Sequence, residues 1–252
     1  MSKSRIEWLR NPVTNKLGYS LNPVKGLCPM DCRNLQNEPY CYARRMYKRF
    51  HWDEKIRYSS DCFHNLEGEF GDKYFVGSTM ELFGEWTHSW MGDILAWVRQ
   101  YPNRTFIFLT KKPANLIQWS PFPPNAWIGV SCTDATMLTK AYVPLRSIKA
   151  TVKFISFEPL LKWDMSQNDL GWTLEEMGIG WVIVGQQTPT NQATMPKEQW
   201  VDDISSVCDK SNVPIFLKDN LRPSLFTEEK EIGKLWGDKS LKFSLRQEWP
   251  KV

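Results

Sequence analysis

The sequence predicts an α/β fold, read as a full or partial parallel (β/α) TIM-like barrel of about six to eight strands. Three observations carry this reading. Short apolar runs rich in β-branched and aromatic residues recur along the chain. They are nearly continuous in hydrophobicity rather than alternating, as in strands buried on both faces. Helical patterns fill several of the gaps, and strands alternating with helices imply crossover units and a parallel sheet. A flat doubly wound sheet is the other architecture compatible with this alternation. The chain contains neither a G-x-G-x-x-G fingerprint nor a G-x-x-x-x-G-K loop.

The first strand falls in Leu17 to Leu21, and a helical pattern follows in Cys41 to Phe50. Gly68 to Gly71 reads as a loop rather than a phosphate cradle. Later strands fall at Tyr74 to Thr79, Phe106 to Lys111, Trp127 to Cys132, Lys153 to Glu158, Trp181 to Gln186 and Pro214 to Lys218. Trp86, Trp90, Met91, Ile94, Leu95 and Val98 form one apolar stripe, which marks a helix over Glu85 to Gln100 stopped by Pro102. Asp134 is suited to cap a helix running to Ser147, with Pro144 inside it. Thr194 is suited to cap another, with Pro196 in its first turn and Trp200, Val201, Ile204 and Cys208 facing inward. From about residue 221 the charged tail reads as an irregular cap on a single domain, 1–252.

Composition narrows the function classes. Hydrophobic residues make up 42% and charged residues 24%, which suits a packed core and not disorder. The net charge of +4 is too mild to establish a nucleic-acid partner by itself. Met1 to Pro12 has no apolar signal region, and no apolar run is long enough to span a bilayer. A cytoplasmic protein is the expectation. In that reducing setting, six cysteines do not make a disulfide framework.

Three of the six, Cys28, Cys32 and Cys41, lie in a loop at 26–43, spaced Cys-x3-Cys-x8-Cys. Clustered intracellular cysteines point to metal or redox work. Thiolates suit iron–sulfur clusters, and the start of a helix at Cys41 favours negative charge there. With no fourth cysteine close by, a four-iron cluster would keep one iron open to another ligand. Spacing leaves two other readings standing: a zinc site closed by His51, His64 or Cys62, and unliganded thiols. His51, His64 and His88 have no mutual spacing of a triad.

In a parallel barrel the working residues sit at the C-terminal ends of strands. Those ends offer Ser78, Thr79, Glu81, Lys111, Ser131, Glu158, Gln186 and Lys218. Glu158, followed by Pro159, is a carboxylate held at a strand tip. It is placed either to accept hydrogen bonds from a ribose or amine, or to pair with Lys111 or another cation of the mouth. Lys111 and Lys218 are point charges for a phosphate-bearing substrate, or neutralise Glu158. Arg44, Arg45, Lys48 and Arg49 interleave with Tyr42, Tyr47, Phe50 and Trp52. That pattern fits a solvated helix face or a nucleic-acid surface.

The segments Asn22-Pro23-Val24-Lys25-Gly26 and Cys41-Tyr42-Ala43-Arg44-Arg45 flank the cysteines. Further along come Leu109-Thr110-Lys111-Lys112-Pro113, Ile128-Gly129-Val130-Ser131, Ser156-Phe157-Glu158-Pro159-Leu160-Leu161 and Trp181-Val182-Ile183-Val184-Gly185. In this order they resemble a phage and bacterial three-cysteine family of unknown function. That family is in turn similar to radical S-adenosylmethionine enzymes such as spore photoproduct lyase. The resemblance implies a 4Fe-4S cluster on Cys28, Cys32 and Cys41, S-adenosylmethionine as second cofactor, an electron donor, and a 5′-deoxyadenosyl radical that modifies a substrate. With that chemistry, the strand-end positions offer Glu158 and Lys111 for catalysis and Ser78, Thr79, Glu81, Ser131 and Gln186 for cofactor binding. Gly84-Glu85 resembles the short Gly-Glu motif of these enzymes but lies past the strand. A nucleotide or nucleic acid is the substrate class suggested. A zinc- or iron–sulfur-containing nucleic-acid-binding protein without catalysis is the alternative. Two features depart from the pattern: a second cysteine gap of eight residues where such enzymes show two, and Gly185-Gln186-Gln187-Thr188 where the family has Gly-Gly-Glu-Ser.

Overall fold

The computed structural model describes residues 2–64, 66, 72–190, 192–225 and 245–250. The expected loop at Gly68 to Gly71 and most of the expected C-terminal cap lie outside them. Ten strands occur among the described residues. They are β1 (Ser2–Lys3), β2 (Tyr19–Leu21), β3 (Val24–Lys25), β4 (Arg57–Tyr58), β5 (Lys73–Val76), β6 (Thr105–Thr110), β7 (Ala126–Ser131), β8 (Val152–Phe157), β9 (Trp181–Val184) and β10 (Ile215–Leu217). The helices are α1 (Tyr42–Phe50), α2 (Asp61–His64), α3 (His88–Arg99), α4 (Ala135–Ser147), α5 (Gln167–Met177), α6 (Glu198–Lys210) and α7 (Arg222–Leu225). Eight strands form one sheet in the order β1-β2-β5-β6-β7-β8-β9-β10. Only β1 runs antiparallel; the pairings from β2 to β10 are all parallel. Strands β3 and β4 pair separately.

Side chains alternate across a strand, and both faces of this sheet are apolar. Phe106 and Phe108 belong to the layer under the helices, with Met91, Ile94, Leu95 and Val98 of α3. Ile107, between them, belongs to a second cluster with Trp8, Phe75, Trp127, Phe154, Trp181, Ile183 and Phe216. This double burial explains the unbroken apolar runs in the sequence. The second cluster also reports curvature. The ring of Trp8 lies 5.2 Å from Phe75 on β5 and 6.1 Å from Trp181 on β9. In a flat sheet those strands would stand about 19 Å apart. The sheet is therefore strongly curled, with its second cluster on the concave side. A short 3-10 turn, Glu7–Leu9, brings Trp8 there, and Trp249 donates to the Trp8 carbonyl at 2.9 Å. Gly129 fits beneath the Phe154 ring, where an added Cβ would come within 2.2 Å of ring carbon. Among the described residues no strand pairing joins β1 to β10.

The expected elements recur with defined changes. The strand expected to reach Thr79 ends at Val76, because Gly77 turns away with a φ of +79°. The helix expected from Glu85 begins as a 3-10 turn and becomes α-helical at His88. Asp134 caps α4 by accepting from the Met137 amide at 2.8 Å, as expected. Thr194 does not cap α6. It closes a separate 3-10 turn, Pro196 precedes the helix, and α6 starts at Glu198 behind Lys197. The sequence reading also missed α5, which Ser166 caps through the Asp169 amide at 3.1 Å.

Candidate active site on the cysteine loop and strand ends

Register places four of the expected residues on one face, while Gln186 continues the opposite alternation of Val182 and Val184. Lys111 follows Ile107 and Leu109 by even steps, Ser131 follows Trp127 and Gly129, and Glu158 follows Phe154 and Ser156. Lys218 stands two beyond Phe216. The concave face is thus aromatic low on the strands and polar at their C-terminal ends.

The cysteine loop crosses this polar end on the side of β5 and β6. Cys41 is the N-cap of α1. Its sulfur makes no complete capping hydrogen bond, but the Ala43 and Arg44 amides lie close enough to favour the thiolate. The Cys32 thiol lies beside it and favours its thiolate. That proximity, against the opposing effect of burial, pulls Cys41 down to about 5, with the amides and Lys111 assisting. Cys32 is pushed up by the same proximity and by burial. Cys28 is raised by burial, although its sulfur accepts the Glu81 amide at 3.4 Å. The three sulfurs are near enough for charge on one to be felt at the others. Arg44 staples the loop back onto the helix through the Cys28 and Met30 carbonyls, at 3.2 and 3.3 Å.

Glu81 ties the loop to the sheet. Its carboxylate accepts from the Thr110 hydroxyl at 2.7 Å, the Lys111 amide at 2.8 Å and the Phe83 amide at 3.0 Å. Lys111 is held charged: burial opposes the ammonium, but Tyr40, Cys32, Glu81 and Cys41 together outweigh it. Burial raises Tyr40 to about 12, so Tyr40 stays neutral at pH 7. Ser78 and Thr79 both engage Asn22 Oδ1, at 3.2 and 3.3 Å, and the Ser78 carbonyl accepts the Tyr42 hydroxyl.

The remaining candidates gather on the other side. Glu158 pairs with Lys218, not with Lys111; their side chains are 26% and 14% exposed. Burial works against the Lys218 ammonium, but Glu158 and then Glu7 outweigh it. Gly185 makes room for the pair, since an added Cβ would come within 2.9 Å of Lys218 and 3.4 Å of Glu158. Ser131 donates to the Glu158 carbonyl at 3.2 Å. Gln186 exchanges bonds with the Asn220 backbone and side chain, while its buried Oε1 has no partner. Ser156 Oγ, also buried, likewise has none. Sequence reasoning missed Tyr40 and Glu7. Tyr40 adjoins Cys41, a local signal; Glu7 accepts the Asp219 amide at 2.7 Å across the whole chain, a contact with no local signal.

The residues proposed to close a zinc site have other neighbours. His51 is at the opposite end of α1, about 13 Å of helix from Cys41. His64 packs on Trp97, and Cys62 lies near Lys25 and Asp61. Among the described residues, no three His, Cys, Asp or Glu side chains converge as ligands of one metal ion. A pocket of about 350 Å³ opens beside Gly84-Glu85, lined by Phe83, His88, Asn115 and Trp119, and no strand-end candidate reaches it. No described helix is long and apolar enough to cross a membrane.

Fold and site define an α/β protein with a cysteine-bearing loop laid over the C-terminal ends of a curled parallel sheet. The family described as "Protein of unknown function (DUF5131)" matches residues 3–236, and the chain belongs to that family. Its description assigns no activity, so the likeness to radical S-adenosylmethionine enzymes rests on the sequence motifs. No curated protein and no solved structure matches the chain.

Proposed function

We propose that this protein is a radical S-adenosylmethionine enzyme with its iron–sulfur cluster on Cys28, Cys32 and Cys41. One observation carries the reading: the three thiols occupy one loop at the C-terminal strand ends, Cys28 tied to Glu81 through its sulfur and Cys41 at a helix N-terminus, with Lys111 beside them. The donor set fits a cluster, since thiolates near backbone amides are what such clusters require. The curled sheet supports a partial barrel whose mouth is the polar end of the concave face.

A cluster held by Cys28, Cys32 and Cys41 would supply one electron for the reductive cleavage of S-adenosylmethionine. The chain's own residues do the rest. Lys111 offsets the negative charge of the thiolates, and Glu81 fixes both Lys111 and the loop to β6. Glu158 and Lys218 present a compensated charge pair to whatever enters the mouth. The unpartnered oxygens of Ser156 and Gln186 are the polar groups left for a ligand. The test is release of 5′-deoxyadenosine from S-adenosylmethionine by iron-loaded protein with a one-electron reductant. Release that disappears in C28A/C32A/C41A supports the reading, and no release from iron-loaded protein overturns it.

An exposed stack of Phe50 on Trp52, with Arg49 over Phe50, favours a nucleic-acid partner, whether as substrate or as the ligand of a non-catalytic binding protein. Single-stranded oligonucleotide affinity that falls steeply with salt and drops in F50A/W52A is the expected outcome.

A further inference from the structure

The second cysteine gap holds eight residues, which by length alone would separate Cys41 from Cys32. The structure removes that separation. Arg33 and Pro39 form an antiparallel bridge. The Tyr40 amide donates to the Cys32 carbonyl at 3.1 Å, and the Asn34 amide to the Glu38 carbonyl at 2.9 Å. These two bonds flank the bridge, so Arg33 and Pro39 are a non-hydrogen-bonded pair with Cα atoms about 4.5 Å apart. A peptide bond spans about 3.8 Å. Residues 34–38 are thus a hairpin pinched off at its neck.

The hairpin is organised by one side chain. Asn34 is buried, and its Oδ1 accepts the Glu38 and Gln36 amides at 2.9 and 3.1 Å. Its Nδ2 donates to Glu38 Oε2 and to Gln187 Oε1, both at 3.2 Å. Gln187 is itself buried, in the turn after β9. Next to it, the Thr188 carbonyl accepts Arg45 of α1. The hairpin and α1 therefore dock the cysteine segment onto the β9 turn, across the mouth from β5 and β6.

We infer that the insert leaves the ligand spacing unchanged and serves as a clamp, with Asn34 as the positioning residue that fastens the cysteine loop to Gln187. The clamp rests on the cluster reading for its purpose; its geometry does not.

Two experiments test it. In the first, residues 34–38 are excised and Arg33 is joined to Pro39. After anaerobic reconstitution, the excised chain is expected to take up as much iron and sulfide as the full chain. In metal-free form, both are expected to give the same yield of a Cys32–Cys41 disulfide under mild thiol oxidation. A folded excised chain that loses the disulfide would overturn the neck. If the full chain takes up no iron, the cluster reading fails separately and the disulfide yield alone decides. In the second, hydrogen exchange is followed at the Tyr40 amide. N34A and Q187A are each expected to speed it about tenfold, and the double variant no more than the larger single. Additive effects, or none, would overturn the clamp.

Discussion

The two ends of the concave face are built from the same strands and serve opposite purposes. Low on the strands, Trp8, Phe75, Trp127, Phe154, Trp181 and Phe216 fill the curl with rings in edge and tilted contacts. Two to four residues further on, the same columns end in Lys111, Ser131, Glu158 and Lys218. The aromatic end has few polar atoms to satisfy and is limited by shape. The polar end is limited by charge pairing, and it retains buried oxygens without partners. Such unmet capacity costs stability and is tolerated where a ligand can meet it. The difference shows how one curled sheet separates the work of folding from the work of the site.

Trp181 should expose that separation most strongly. It is fully buried and touches Trp8, Trp127, Phe154 and Phe216. W181A is expected to cost about 3–5 kcal/mol in urea unfolding. A cost below about 1 kcal/mol would mean the rings are not what holds the curl. G129A comes next, at about 1–3 kcal/mol, because its methyl would meet the Phe154 ring. Equal stability of G129A would show that the ring moves freely.

At the polar end, K218M is expected to cost about 1–3 kcal/mol by stranding Glu158, and K218M/E158L to recover most of it. If the double variant is no better than the single, the pair is not the unit described here. A pH-dependent effect belongs to Lys73, whose ammonium lies over Trp127 and Trp249. Burial lowers its pKa to about 8 from the usual 10.5, against the pull of Asp72. Its contribution to stability is then full above 10.5 and lost as pH falls through 8, so the charged form costs stability at neutral pH. K73M should therefore be more stable than the parent at pH 7, with the gain shrinking between pH 8 and 10.5. A gain independent of pH would assign the effect to packing instead.

The aromatic end was largely legible in the sequence, because strands buried on both faces leave unbroken apolar runs. The ends of those runs also pointed to Lys111, Ser131, Glu158 and Lys218, which follow β6, close β7, and follow β8 and β10. The choice among partners was not legible. Glu158 meets Lys218, one of the two strand-end cations offered to it, because curvature decides which strand tips face each other and the runs do not encode curvature. Glu81 sits deeper than expected, its carboxylate occupied by three chain donors. Asn34 lies in the lengthened second cysteine gap, and only its bond to Gln187, 153 residues away, reveals the hairpin's attachment. Helix α5 was missed although Ser166 and Asp169 carried its start signal. Pro196 suggested an early start for α6, but the helix begins at Glu198, where an acidic residue meets the N-terminal dipole.

The most direct test of the central claim is a count of iron, sulfide and zinc per chain after purification without oxygen, beside C28A/C32A/C41A. The expected result is about four irons and four sulfides, absent from the triple variant. One zinc and no iron, even after anaerobic reconstitution, would contradict the cluster and leave the polar end of the sheet without its proposed chemistry.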